Sequence, residues 1–173
     1  MIIMNIFFLH NLPNICAMMH CNKHVIKMIL ETTQILCSAW HVQDPEHKKY
    51  KPVYKFTHKN HPSCVWARES KENFIWLVQL GLELCKEYTF RYGKIHKCQQ
   101  YIENLSKNIP NIPSIGFTKP KLAMPDMYKD ENNYVESYRN YYYFDKNHML
   151  NWKGKTGERK KPEWIENFDK MFI

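Results

Sequence analysis

From Ile15 to Trp40 the sequence runs without one Gly or Pro, and its apolar residues recur at the helical period. No other stretch constrains the fold as strongly, and it predicts one long helix. With His20 at 0° and 100° per residue, Lys23, His24, Lys27, Glu31, Gln34 and Ser38 share a sector of roughly 100° with it. Most of the remaining circumference is apolar: Val25, Ile26, Met28, Ile29, Leu30, Ile35 and Leu36. An ordinary surface helix buries a stripe and exposes the rest. This one reverses the pattern, so it is expected to be a central helix with one polar seam. The seam either faces bulk water, with Lys27 and Glu31 as an i,i+4 pair, or lines a cleft. His, Lys, Glu and Gln bind anions and move protons, which is the chemistry of a cleft.

A second long helix is predicted from Ser63 to Tyr92, stopping at Gly93. Trp66, Leu77, Leu80 and Leu84 mark its buried face, centred near Asn73, with Glu69, Glu87 and Arg91 on or beside that face. Glu87 and Arg91, four apart, are either a satisfied internal network or part of the same cleft, since unpaired charges there would be costly. Residues 5–9 read as a short buried strand or extended lead-in, and 41–63 as a polar loop with a short extended piece at 53–56. A shorter helix is expected over 94–108. The proline-punctuated stretch 109–133 reads as irregular, and such segments are often functional. A helix from Tyr134 to Leu150, a basic loop and a terminal helix from Pro162 complete the chain. The expectation is a mainly α fold, one compact helical domain over 1–173, with two long central helices and at most one or two short strands.

Lys and Arg total 25 against 17 Asp and Glu, a formal charge of +8, and 44% of residues are hydrophobic. That composition supports a sizeable core and excludes a disordered or fibrous chain. No apolar run reaches the roughly 20 residues of a membrane span, so no membrane partner is expected. The opening residues lack a basic n-region and a small-residue cleavage site, so a signal peptide is not expected. The six cysteines stand singly, with no C-x-x-C, which argues for reduced thiols, an intracellular setting and no disulfide-linked partner. His20 with His24, or His58 with His61 and Cys64, offer metal-ligand spacings, but no paired zinc motif occurs, and no cofactor is expected. Lys153-Gly154-Lys155-Thr156-Gly157 lacks the spacing of a phosphate loop. The stretch 146–161 interleaves cations and aromatics. Lys153, Lys155, Arg159, Lys160 and Lys161 suit a nucleic-acid backbone, while Trp152 and Trp164 equally suit a docked tail.

Four motifs carry a resemblance: the run from Met19-His20-Cys21-Asn22-Lys23-His24 to Glu31, then Thr57-His58-Lys59-Asn60-His61-Pro62, then Glu87-Tyr88-Thr89-Phe90-Arg91-Tyr92-Gly93-Lys94, then Ala123-Met124-Pro125-Asp126. Together, in order from Met4 to Trp164, they resemble a family of small proteins of tailed phages and large DNA viruses, a likeness that carries no activity with it. In layout the chain is also similar to the phage-type pyrimidine-dimer DNA glycosylases, which bear an R-E-x-x-R cluster on a helix, a His before a long aromatic-rich helix and a basic aromatic tail. Lys23-His24-Val25-Ile26-Lys27 and His61 occupy the corresponding places. That family attacks the sugar with a free N-terminal amine. Here Met1-Ile2 is expected to keep its Met, leaving no obvious amine nucleophile, and the family's catalytic glutamate corresponds to His24.

The resemblance implies a viral enzyme acting on a nucleobase or nucleotide, most concretely a DNA glycosylase-like base-excision protein working in the host cytoplasm or a viral replication compartment. Nucleic acid, DNA in particular, is the expected partner. His24, Glu31 and His20 are assigned to catalysis, through proton transfer or cation stabilisation. Lys23, Lys27 and Arg91 are assigned to phosphate, Gln34 and Asn73 to polar edges, and Trp66 or Tyr92 to stacking, with His58, His61 and Glu87 also lining the site. Two alternatives stand beside it: a non-catalytic DNA- or RNA-binding protein using 146–161, and an enzyme on a small phosphorylated metabolite.

Overall fold

The computed structural model describes residues 4–172. Among them the elements are α1 (Pro13–Met19), α2 (Asn22–Gln43), α3 (Pro62–Glu69), α4 (Lys71–Tyr92), α5 (Gln99–Lys107), α6 (Tyr134–Lys146) and α7 (Glu163–Phe172). Single 3-10 turns cover Asp126–Tyr128 and Asn147–Met149. The described residues form no strand; one antiparallel bridge joins Lys153 to Glu158. The mainly α expectation therefore holds, and residues 5–9 and 53–56 run without strand pairing. No helix among the described residues is long and apolar enough to cross a membrane.

The two long helices, α2 and α4, pack on each other, with α1 and α5 against α4 and α3 against both. Gly81 sits where α2, α4 and α5 meet. A Cβ there would lie 3.0 Å from Ile102 Cδ1 and 3.1 Å from Thr32 Cγ2, so the closeness of the three helices depends on its missing side chain. The N-terminal segment threads this core. Its alternate residues face opposite sides, as extended backbone requires. Phe8 stacks on Trp76, with centroids 5.0 Å apart at 26°. Phe7 stacks on His24 of α2, 4.6 Å apart at 29°.

The helix expected over Ile15–Trp40 is two helices, broken at His20–Cys21 where the backbone is extended (ψ 135° and 162°). No Gly or Pro causes the break; distant groups satisfy it. Arg91 donates from Nη2 to the Met18 carbonyl (2.9 Å) and from Nη1 to the His20 carbonyl (2.7 Å). Trp152 Nε1 donates to the Met19 carbonyl (2.9 Å). These carbonyls are the acceptors a helix leaves unpaired at its C-terminal end. On the other side of the break, the Cys21 N–H donates to the Tyr142 hydroxyl (2.9 Å) and the Asn22 N–H to the Asn151 carbonyl (2.7 Å). The helix expected over Ser63–Tyr92 is likewise divided, at Ser70. Its hydroxyl accepts from the Glu72 N–H (3.2 Å) as an N-cap and donates to the Gly116 carbonyl (2.6 Å). As expected, α4 ends at Gly93.

Candidate functional site

On α2 alone, Lys23, His24, Lys27, Glu31, Gln34 and Ser38 keep one phase, and the seam divides along its length. The exposed strip is Lys23, Ile26, Lys27 and Leu30. His24 and Glu31 turn inward and are 3% and 1% exposed. Ser38 is buried and donates to the Ile35 carbonyl, while Gln34 is half-buried. Both expectations for the seam are thus met in part: one flank faces water and the other lines a cavity.

That cavity encloses about 200 Å³. His24, Lys27, Met28 and Glu31 enter it from α2, Tyr141 and Lys146 from α6, and Asn5 and Phe7 from the N-terminal segment. Lys27 and Lys146 bring positive charge to it; Lys146 Nζ stands 5.1 Å over the Tyr141 ring. Both Glu31 carboxyl oxygens and His24 Nδ1 are buried without a hydrogen bond of good geometry, although the Asn5 backbone N–H faces the carboxyl. Lys27 Nζ lies 4.0 Å from Glu31 Oε2, beyond hydrogen-bond range. Wider depressions between α4 and α5 (about 350 Å³) and beside α7 (about 390 Å³) are lined by no such unpartnered buried polar atom.

Burial sets the protonation states here. Removal from water pushes the Glu31 carboxyl up to about 7, against the opposing pull of Lys27, the Asn5 backbone N–H and Lys146. It pushes His24 down to about 2, aided by His20, Lys146 and Lys27. The imidazole is therefore neutral at physiological pH, while the carboxyl exchanges its proton close to neutrality. A group that titrates near the working pH is suited to proton transfer.

The remaining expected site residues lie elsewhere, and several are corrected by their surroundings. His20 is fully buried at the end of α1, with Nδ1 2.7 Å from the Cys16 carbonyl, and does not line the cavity. Arg91 is fully buried too. Besides the Met18 and His20 carbonyls it binds Glu87 Oε2 through Nε (3.0 Å) and Asn22 Oδ1 through Nη1 (3.2 Å), so four of its five donors are taken inside the fold and the side chain is out of a phosphate's reach. Glu87 also takes Arg159, whose Nη2 is 2.7 Å from Oε1 and whose guanidinium covers Phe90 at 4.2 Å. Of the two expectations for Glu87 and Arg91, the internal network is the one observed, and Arg159 belongs to it.

Asn73 is buried, donating to the Trp66 carbonyl (2.9 Å) and the Thr118 hydroxyl (2.7 Å), so it reads no ligand edge. Trp66 is 1% exposed and packs in the core between Phe8 and Trp76. Tyr92 is half-buried against Tyr88. His61 caps α3 by accepting from the Ser63 N–H (3.1 Å), and His58 is exposed with φ 52°. With Cys64 buried, and no group of three His, Cys, Asp or Glu gathered among the described residues, neither metal-ligand spacing becomes a cluster. Met1-Ile2 lies outside the described residues.

The basic loop is folded. Around the Lys153–Glu158 bridge, the Lys155 and Thr156 N–H groups donate to the Arg91 carbonyl (2.7 and 2.9 Å). Both glycines of the stretch, Gly154 and Gly157, serve this contact. A Cβ on Gly154 would meet the Arg91 carbonyl at 2.5 Å, and one on Gly157 the Phe90 carbonyl at 2.5 Å. Lys153, Lys155 and Lys160 remain exposed, whereas Lys161 pairs with Asp169 (3.0 Å).

Asn5, Phe7, Tyr141 and Lys146 escaped the site assignment from sequence. Their only signals were an apolar lead-in and the run of tyrosines before a basic stretch, neither of which says what it faces.

A family model described as pyrimidine dimer DNA glycosylase matches residues 4–100, more than half of the chain. No curated protein and no solved structure matches it. The match covers the N-terminal segment and α1 to the start of α5, including every α2 residue of the cavity.

Proposed function

We propose, from the premise that this chain belongs to the pyrimidine dimer DNA glycosylase family, that the cavity on α2 is where it takes up a base. Membership gives a DNA glycosylase-like repair function, with DNA as the implied partner. One observation carries the finer reading: a small cavity beneath cationic side chains ends on a buried carboxyl that, though faced by the Asn5 N–H, makes no hydrogen bond of good geometry. An enzyme that cleaves a glycosidic bond extrudes the nucleotide and holds its base by stacking and polar edge contacts. Tyr141, backed by the Phe7 ring that stacks on it, supplies aromatic surface, Glu31 the proton-exchanging group, and neutral His24 a polar contact. Lys27 and Lys146, joined by Lys23 on the exposed strip, bind the phosphates around the extruded nucleotide. The resemblance of its motifs to those of phage and large-DNA-virus proteins favours a viral origin and action inside the infected cell.

The test is base release from duplexes carrying a panel of damaged and modified bases. Glu31→Gln and His24→Ala are expected to lose at least about a hundredfold in turnover while duplex affinity stays within a few-fold. Wild-type turnover by both variants would overturn the assignment of the cavity. A second reading, DNA binding without catalysis, is favoured by Lys153, Lys155 and Lys160 standing exposed on a firmly docked hairpin. It prevails if no base is released from any duplex while binding depends on those lysines.

A further inference from the structure

Ile26 and Leu30 stand in water on a helix that otherwise buries its aliphatic residues. Of the α2 residues between Asn22 and Trp40, four are exposed: Lys23, Ile26, Lys27 and Leu30. Ile26 and Leu30 are 41% and 37% exposed and, four positions apart, form one ridge on the helix surface. Around α2, at roughly 100° per residue, the order is Ile26, Leu30, Lys23, Lys27, Glu31, His24. The ridge therefore runs beside the two lysines, and beyond them lie Glu31 and His24, turned into the cavity.

The other side of the ridge is bordered by the loop 93–98, whose His96 ring faces the Ile26 backbone. Lys94 and Lys97 on that loop are exposed, and Ile95 between them is 74% exposed. No Asp or Glu stands among the exposed residues of the loop or of α2 before Trp40. A lone aliphatic residue on a surface needs no explanation. A ridge of two, bordered by cations on both sides and adjoining a cavity, does. A second copy of this basic chain would set like charges against each other there, whereas a duplex brings phosphates to both borders. Between the two phosphate rows of a duplex lie stacked bases, which an aliphatic side chain meets only by entering the stack.

Extruding a nucleotide breaks its stacking and leaves a gap in the duplex. Leu and Ile side chains inserted at a base step fill such a gap and hold the duplex kinked. We propose that Ile26 and Leu30 are the wedge that enters the base stack as the nucleotide leaves it, with Lys23 and Lys27 on one phosphate row and Lys94 and Lys97 on the other. They are positioning residues, since they touch no reacting atom. The assignment rests on the reading that the cavity takes up a base, and adds what keeps that base from returning.

The experiment compares two substrates in single-turnover base release. One is a duplex with a pyrimidine dimer and a fluorescent adenine analogue at the neighbouring step, which brightens when unstacked. The other carries the same damaged strand against abasic spacers, so that pairing at the dimer is already lost. Ile26→Ala with Leu30→Ala is expected to bind the paired duplex within a few-fold of wild type, to lose about tenfold or more in base release and to leave the analogue dark. On the spacer duplex it should release base at the wild-type rate, which general damage to the fold would not allow. Ile26→Leu with Leu30→Met keeps the bulk and should match wild type on both substrates. If circular dichroism shows the double alanine variant unfolded, Leu30→Ala alone carries the same test. Equal loss on both duplexes overturns the wedge and leaves the base pocket standing. So does wild-type release and brightening by the alanine variant, which would assign the ridge to a partner other than DNA. If the wild-type chain releases no base from these or any other damaged duplex, the base-pocket reading fails and the wedge fails with it.

Discussion

Arg91, fully buried near the end of α4, donates to the carbonyl of His20, 71 positions earlier, at 2.7 Å. With the Met18 carbonyl also in its grasp, this side chain ends α1 and lets α2 start in a new direction. The guanidinium thus does for α1 what a C-terminal cap residue does elsewhere.

Arg91→Ala is therefore expected to destabilise the fold by about 3–5 kcal/mol, the range for removing one partner of a buried pair. It leaves two carbonyls without donors and Glu87 with Arg159 alone. Arg91→Lys should recover only part of the loss, because one ammonium cannot span both carbonyls and the carboxylate. Urea unfolding of the three proteins checks the order.

Glu31 gives stability a pH dependence of defined sign. Its carboxyl titrates near 4.5 when unfolded and at about 7 when folded. Below 4.5 both states are protonated. As pH rises from 4.5 to 7 the unfolded chain alone gives up the proton, and stability falls by about 3 kcal/mol in all. Glu31→Gln should thus unfold at higher temperature than wild type at pH 8 and lose that advantage at pH 4.5. Equal melting shifts at the two pH values would contradict this.

The buried histidines act in the opposite sense. His20 and His24 are pushed down by burial, to about 4 and about 2, from an ordinary 6.5. Below 6.5 the unfolded chain takes up their protons and the folded one does not, so acid destabilises. Between pH 6.5 and 4.5 these two groups outweigh the single gain from Glu31 by one proton, a net loss of about 1.4 kcal/mol per pH unit. His24→Gln is expected to bring that slope close to zero in melts across this window.

For the hairpin, Lys153→Gln, Lys155→Gln and Lys160→Gln should each lower the slope of log affinity against log salt by about 0.9 if the lysine meets a phosphate. Gly154→Ala should instead cost about 1–3 kcal/mol of stability, since its Cβ would press on the carbonyls of Arg91 and Gly157. Binding at several salt concentrations, with melts alongside, separates the two effects.

Much of this architecture can be read from the chain. The helical period and the stop at Gly93 reveal the long helices, and the phase of Lys23, His24, Lys27 and Glu31 survives because all four lie within α2. His20 does not share it. The break before α2 has no local signal, because the groups that satisfy it come from Arg91, Tyr142, Asn151 and Trp152. For the same reason Arg91 and Asn73 looked like ligand contacts: sequence shows that a polar residue sits near a buried face, not that its partners are already inside. The cavity's other wall is equally silent. Tyr141 and Lys146 meet Glu31 only once α6 has folded back on α2 and the N-terminal segment.

The break between α1 and α2 lies inside the region matched to the family, yet Tyr142, Asn151 and Trp152, which hold it, lie beyond residue 100. A gene exchange that kept residues 4–100 and replaced the C-terminal portion would carry the seam and its Arg91 contacts across but leave the Cys21 and Asn22 N–H groups and the Met19 carbonyl without partners. A new second half must then bring its own hydroxyl for Cys21 and its own indole for Met19.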